Sequence, residues 1–419
     1  MTREKRSDRP TNKPLGPIPA GFSGIDGELA IGGRKASELV EEAGRTPLFV
    51  YSRDLLDARV AQLRAALPER LAIHYAVKAN PWRPVIEHMA GLVDGFDIAS
   101  GGELAMVRTA GIDPALVSFA GPGKRDEELE AAIAAGVTLN CESEGEAARA
   151  LAIAERLGTA PRMAIRVNPS FELRGSGMKM GGGAKPFGID QDRVPALAKH
   201  LIAAGADWRG LHIFTGSQAL DADAIIETQG NVLNLADQLA EEIGTPLPKL
   251  NMGGGLGIPY FAGDEPLDLV KVGAALAARF ENLPENLADT ALCIELGRYL
   301  VGEAGVYLTR IVDRKTSHGE TYLVTDGGLH HQLAASGNFG TVVRRNYPVA
   351  IASHFGAEPT EEVNVVGCLC TPLDRLADKA LLPHANVGDL VAVFCAGAYG
   401  ASASPAAFLG QGPAAELLV

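Results

Sequence analysis

Several things are missing from this sequence, and each absence excludes something. No apolar run approaches the roughly 18 to 20 residues needed to cross a bilayer, so no membrane partner is expected. Positive charge is in deficit: 38 Lys and Arg stand against 51 Asp and Glu, a net charge of −13, whereas a nucleic-acid partner would call for a basic patch. A disulfide framework is lacking too. The five cysteines, Cys141, Cys293, Cys368, Cys370 and Cys395, form an odd set, and Cys368 with Cys370 has no second pair to complete a zinc site. No metal is therefore expected, and a reducing cytoplasm suits the thiols. The stretch from Met1 to Ala20 is rich in Arg, Lys and Pro without an apolar core, so residues 1–22 read as a disordered tail and not as a secretory signal.

What is present is a globular chain of 419 residues, 47% hydrophobic and 21% charged, long enough for a barrel-sized domain and a smaller one. From residue 46 short β-branched runs alternate with Ala- and Leu-rich stretches of helical spacing, such as Asp126 to Ala135, Glu144 to Leu157 and Ala222 to Ile243. Eight strands are predicted: Ile73 to Val77, Phe96 to Ala99, Val117 to Ala120, Val137 to Cys141, Met163 to Val167, Gly210 to Phe214, Lys249 to Met252 and Leu292 to Glu295. Eight β/α units make an α/β chain with a (β/α)8 TIM-like barrel over residues 46–298. Past residue 299 alternating segments take over, among them Tyr307 to Val312, Thr321 to Val324, Glu362 to Val366 and Leu390 to Phe394, so residues 299–419 read as a C-terminal all-β, barrel-like domain. The segment 23–45 is expected to pair with it.

In such a barrel the chemistry sits at the C-terminal strand ends. Polar and glycine residues cluster there: Lys78, Ser100, Gly121, Glu142, Arg166, Asn168, Ser217, Gly253 to Gly255, and Arg298 close behind Glu295. A lone lysine is ordinarily a solvated surface charge. At a barrel mouth, desolvation lowers its pKa, and a neutral amine is what attacks an aldehyde to form a Schiff base. Gly253-Gly254-Gly255-Leu256-Gly257 lets successive backbone N–H groups converge on a phosphate.

The run His74-Tyr75-Ala76-Val77-Lys78-Ala79-Asn80 resembles the pyridoxal-phosphate (PLP) enzymes of fold type III that include diaminopimelate, ornithine and arginine decarboxylases. The resemblance covers nearly the whole chain, beginning at Thr46-Pro47-Leu48-Phe49-Val50-Tyr51 and continuing through Phe96-Asp97-Ile98-Ala99-Ser100-Gly101-Gly102-Glu103-Leu104. It implies a decarboxylase that holds PLP as a Schiff base on Lys78. Gly254, Gly255 and Ser217 would bind the phosphate. Glu295, in Glu295-Leu296-Gly297-Arg298, would keep the pyridine nitrogen protonated and the ring an electron sink. Arg298 would take the cofactor phosphate or a substrate carboxylate, and Tyr399, in Gly397-Ala398-Tyr399-Gly400, would touch the phosphate and the substrate. Gly367-Cys368-Leu369-Cys370-Thr371-Pro372-Leu373-Asp374 matches the segment whose cysteine, here Cys370, reprotonates the carbanion in the partner subunit's site, which implies a homodimer with shared active sites.

Two departures bear on substrate. Phe214 replaces the histidine that stacks on the cofactor ring, keeping the stack and losing the imidazole; His212 matches an upstream position. Thr371 stands where the diamino-acid decarboxylases carry the acid that binds a distal ammonium. The stretch from Asp326 to Gly340 resembles a branch associated with exosortase systems, and decarboxylases acting on carrier-protein-linked aminoacyl groups. The expected substrate is therefore an amino acid without a free distal ammonium, free or held on an acyl or peptidyl carrier protein. Arg344-Arg345-Asn346-Tyr347-Pro348 matches the substrate-gripping region loosely, and the inserted proline of Lys185-Pro186-Phe187-Gly188 leaves that lysine without a carried-over role. Gly175 to Lys185 reads as a mobile loop able to close over the site, or as an insertion without a gating role. Three alternatives stay open: a true meso-diaminopimelate decarboxylase, an alanine-racemase-like enzyme, which would need a tyrosine base where the chain offers Cys370, and a PLP-binding regulator that has lost catalysis.

Overall fold

The computed structural model describes residues 12–337 and 344–419, which fall into two compact units. One comprises residues 53–258 and 265–302; the other takes the chain up to residue 52, residues 259–264 and 303–419.

The first unit is the expected barrel. Its strands are β1 (Leu71–Ala76), β2 (Gly95–Ile98), β3 (Val117–Phe119), β4 (Thr138–Cys141), β5 (Arg162–Asn168), β6 (Asp207–His212), β7 (Lys249–Asn251) and β8 (Ala291–Leu296). Each pairs in parallel with the next, and β8 pairs with β1 to close the ring, with Glu295 opposite His74. Both faces of these strands are covered, which is why they read as apolar runs and not as alternations. The crossover helices start and stop where capping chemistry requires. For Glu144–Leu157, the Ser143 hydroxyl accepts the Glu146 amide at the start, and Gly158, at φ 67°, ends the helix in a left-handed turn.

The second unit holds an eight-stranded sheet, centred on the long strand Gly305–Ser317. Its core joins Leu48, Val50, Val306, Leu308, Leu390 and Phe394 with Leu29, Ile31, Leu39 and Val40 from the N-terminal segment. Full burial of each such side chain contributes about 1.5–3 kcal/mol.

Three expectations require correction. Leu48–Tyr51 belongs to this sheet, pairing with Gly305–Ser317 and Ala415–Leu418, so residues 46–52 do not open the barrel. A four-residue run buried on both faces looks the same in either setting. Residues 12–22 are not a loose tail: the Lys13 amide donates to the Lys379 carbonyl, the Lys13 ammonium pairs with Asp378, and Phe22 packs edge-on against Phe394 at 5.0 Å. Backbone pairing of this kind leaves no trace in polar composition. The remainder of the tail, residues 1–11, lies outside the described residues, as do Asn338, Phe339 and Gly340. Finally, Gly175 to Lys185 is tied down in part, with Met178–Lys179 antiparallel to Gly216–Ser217 and the Gly182 amide on the Pro169 carbonyl. Among the described residues no helix is long and apolar enough to cross a membrane.

Candidate active site

Lys78 sits in the single turn Val77–Ala79 that follows β1. The turn is pinned from beneath, because the buried Tyr75 hydroxyl donates to the Asn80 carbonyl at 2.8 Å and the Asn80 side chain accepts the Trp82 amide at 3.1 Å. A bare Cα at Gly297 lets the end of β8 come against this turn, since a Cβ there would meet Ala79 Cβ at 2.8 Å. The consequence is a charge pair. Lys78 Nζ lies 3.8 Å from Glu295 Oε1 and 5.5 Å from the centre of the Phe214 ring.

Glu295 is buried. Burial alone raises a carboxyl pKa, but His212, Lys78 and Arg166 outweigh it and draw Glu295 down to about 2, so the group is a carboxylate at any physiological pH. Its other oxygen, Oε2, lies 3.0 Å from His212 Nε2. Among the described residues Oε2 is nonetheless a buried acceptor without a hydrogen bond that meets geometric criteria.

Arg166 is itself anchored, 2.8 Å from Glu142 Oε1, while Glu142 Oε2 accepts the Gly188 amide at 2.8 Å. Burial opposes ionisation of Glu142 as well, yet Arg166 and the Gly188 amide hold its carboxyl below the usual range. Glu103, from the helix Gly101–Thr109, completes the charged floor. It accepts the Ala99 amide at 2.6 Å, and burial raises its pKa against the pull of that amide and of Lys78.

The glycine run after β7 is built for close approach. A Cβ on Gly254 would overlap the Glu295 carbonyl, and one on Gly255 would meet Leu173 Cδ2 at 2.7 Å and the Gly216 carbonyl at 3.2 Å. Among the described residues the amides of Gly254 and Gly255 have no protein acceptor, whereas the Gly253 amide is taken by Asn251 at 2.9 Å. Two unclaimed N–H groups beside Ser217 suit a phosphate. Arg298 opens the turn of helix Arg298–Val301 directly beyond Gly297.

The barrel unit thus brings together Lys78, Phe214, Ser217, Gly254, Gly255, Glu295 and Arg298. The remaining expected residues belong to the sheet unit. Cys370 is exposed and Thr371 half-buried on a loop whose shape is set by Asp374: its carboxylate accepts the amides of Leu329 at 2.6 Å and Leu369 at 2.8 Å. Tyr399 holds φ at 56°, a left-handed value that non-glycine residues seldom adopt. Arg344 and Arg345 part company with their neighbours, for Asn346 and Tyr347 are buried and structural, Tyr347 packing 4.7 Å from Tyr260.

Four residues carried no assigned role beforehand, although Glu142 and Arg166 stood in the expected strand-end cluster. His212 reads as one polar residue inside an apolar strand, and Glu103 as an ordinary helix acid. The Glu142–Arg166 pair shows in sequence only as polar residues at two strand ends.

A barrel with a lysine, a buried carboxylate and a glycine cradle at one mouth defines an enzyme that carries an aldehyde cofactor with a phosphate tail. The residues fit PLP: an amine at the mouth, a carboxylate with an orphaned oxygen, and free amides where a phosphate would lie. Comparison with known proteins is specific on this point. Residues 53–302 match the family described as pyridoxal-dependent decarboxylase, pyridoxal binding domain. The chain is 35% identical to the L-glutamyl-[BtrI acyl-carrier protein] decarboxylase of Niallia circulans, over 89% of this chain and 88% of that one. It is 34% identical to the diaminopimelate decarboxylase of Archaeoglobus fulgidus, over 95% and 93%. Among solved structures, diaminopimelate decarboxylase from M. jannaschii in complex with L-lysine superposes with a TM-score of 0.85 at 26% identity, covering 96% of this chain and 93% of that one. The chain belongs to the PLP-dependent decarboxylases.

Proposed function

We propose that this decarboxylase acts on an amino-acid substrate that lacks a free distal ammonium, and that an aminoacyl group held on a carrier protein is the substrate class its residues suit best. The observation that carries this reading is Thr371. A threonine hydroxyl cannot neutralise an ammonium, and omission of a charge-assisted contact weakens a diamino acid by roughly 1.5–3 kcal/mol. The carrier-protein substrate named for the N. circulans relative supports the same class.

When bound, PLP supplies an aldehyde for an amine and a ring that accepts the electron pair left as carbon dioxide departs. Within that chemistry Lys78 provides the amine. Glu295 would keep the ring nitrogen protonated, Phe214 would cover the ring and exclude water, and Gly254, Gly255 and Ser217 would hold the phosphate. Arg298 takes the phosphate or a substrate carboxylate. Cys370 of a second copy delivers the proton that replaces carbon dioxide, which makes the functional unit a homodimer. None of the five cysteines is paired in a disulfide.

The test is a steady-state measurement of carbon dioxide release from free meso-diaminopimelate, free glutamate and a glutamyl carrier protein. Turnover of the carrier-bound substrate at least about tenfold above the free amino acids is expected. Robust turnover of free meso-diaminopimelate would refute the reading.

A further inference from the structure

The carboxylate of Glu295 has two differently employed oxygens. Oε1 looks towards the barrel mouth, 3.8 Å from Lys78 Nζ, and Oε2 is turned back to His212 Nε2 at 3.0 Å. Both partners of the second contact are sealed in, with side chains 2% and 6% exposed. Among the described residues neither imidazole nitrogen of His212 has a hydrogen-bond partner, and nor does Oε2. Buried donors and acceptors left in this state are costly, and a small rotation would align these two, which already stand 3.0 Å apart. The position matters because Phe214 has removed the other imidazole expected here. Its ring stands edge-on to His212 at 6.4 Å and offers no proton.

We propose that His212 is a positioning residue that acts through Glu295, its Nε2–H holding Oε2 so that Oε1 is left to face the pyridine nitrogen of PLP. The inference rests on the assignment of Glu295 given above. A carboxylate that accepts a hydrogen bond on one oxygen is a weaker base on the other. The shared proton then stays on the ring nitrogen and does not pass to Glu295. The bond also fixes the carboxylate's rotation, so that Oε1 need not be ordered when the ring arrives.

The test is equilibrium binding, to apo-protein, of PLP and of the analogue that has C–H in place of the ring nitrogen. With His212→Leu, PLP should bind about tenfold more weakly, equivalent to ~1.4 kcal/mol, and the analogue less than about twofold more weakly. His212→Gln, which keeps an N–H donor, should recover most of the loss. Should the leucine variant not fold, His212→Asn, too short to reach Oε2, gives the same comparison. Equal weakening of both ligands, or no weakening of PLP, overturns the proposal. Wild-type protein that binds neither ligand overturns instead the assignment of the cofactor site, and the wild-type arm keeps the two failures apart.

Discussion

Lys78 Nζ and Glu295 Oε1 stand 3.8 Å apart with unequal access to water, the lysine side chain 41% exposed and the glutamate 6%. An exposed amine can meet an aldehyde, while the sealed carboxylate keeps its charge because His212, Lys78 and Arg166 offset its burial. That dependence makes a stability signature. Burial raises the Glu295 pKa, and His212, Lys78 and Arg166 more than reverse this, taking it from 4.5 to about 2. A depressed acid stabilises the fold above its unfolded pKa and loses that contribution as pH falls, here between 4.5 and about 2. The full effect is of order 3 kcal/mol. Urea unfolding of the wild type should show a loss between pH 5 and pH 3 that Glu295→Gln lacks. An identical loss in the variant would remove Glu295 from the account.

Gly254 makes a steric prediction. Its Cα lies against the Glu295 carbonyl with no room for a methyl, so Gly254→Ala must push β7 and β8 apart at the cofactor end. Overpacking of this kind costs about 1–3 kcal/mol. PLP affinity, read by fluorescence quenching, should fall by about tenfold or more. Gly123→Ala, at an exposed position where an added Cβ meets nothing within 4 Å and the backbone is not left-handed, serves as the control for alanine on a loop and should leave PLP affinity within about twofold.

The barrel was legible because its strands carry two independent signals, an apolar run and a polar or glycine residue just past its end. Lys78, Glu295 and the glycine run fell out of that coincidence. The contact between His212 and Glu295 did not, since two residues far apart in sequence meet only once the ring closes. The strand Arg375–Leu382 was missed for a local reason. Asp378 and Lys379 interrupt its alternation, and Lys379 takes φ 48° beside a shift in register against Glu361–Val366. Asp378 is nonetheless largely buried, satisfied by Lys13 and Arg375. A charge paired by tertiary contacts reads, in sequence, as a loop charge. Leu48–Tyr51 failed in the opposite way, for its apolar run was clear and its sheet was not.

Thr371 offers a gain-of-function prediction. If the residue faces the far end of the substrate, Thr371→Glu returns a carboxylate to the place where a distal ammonium would bind. A charge-assisted hydrogen bond of about 1.5–3 kcal/mol corresponds to a ten- to hundredfold lower KM for free meso-diaminopimelate. A carrier-bound glutamyl group keeps its α-carboxylate for decarboxylation and is tethered through its side-chain carboxyl, so it has no distal ammonium for the new charge to bind and its rate should not rise. A variant whose KM for diaminopimelate is unchanged would mean that Thr371 does not meet the substrate.

The homodimer and the role of Cys370 can be tested in one experiment, because Lys78 and Cys370 are proposed to reach each site from different copies of the chain. Lys78→Ala should abolish the visible absorbance of lysine-bound PLP and lower kcat/KM by about a thousandfold or more. Cys370→Ser should retain that absorbance, since the cysteine does not hold the cofactor, and lower kcat by roughly 10²–10⁴, the usual worth of a positioned proton donor. Each variant alone should retain at most about a hundredth of the wild-type activity. If the two are unfolded and refolded together, half the dimers are mixed, and in each of these one site draws its lysine and its cysteine from the unmutated positions, so about a quarter of the wild-type activity returns. A cysteine acting in its own chain's site would place one defect in every site. Mixing would then restore nothing, and the shared-site dimer would have to be abandoned.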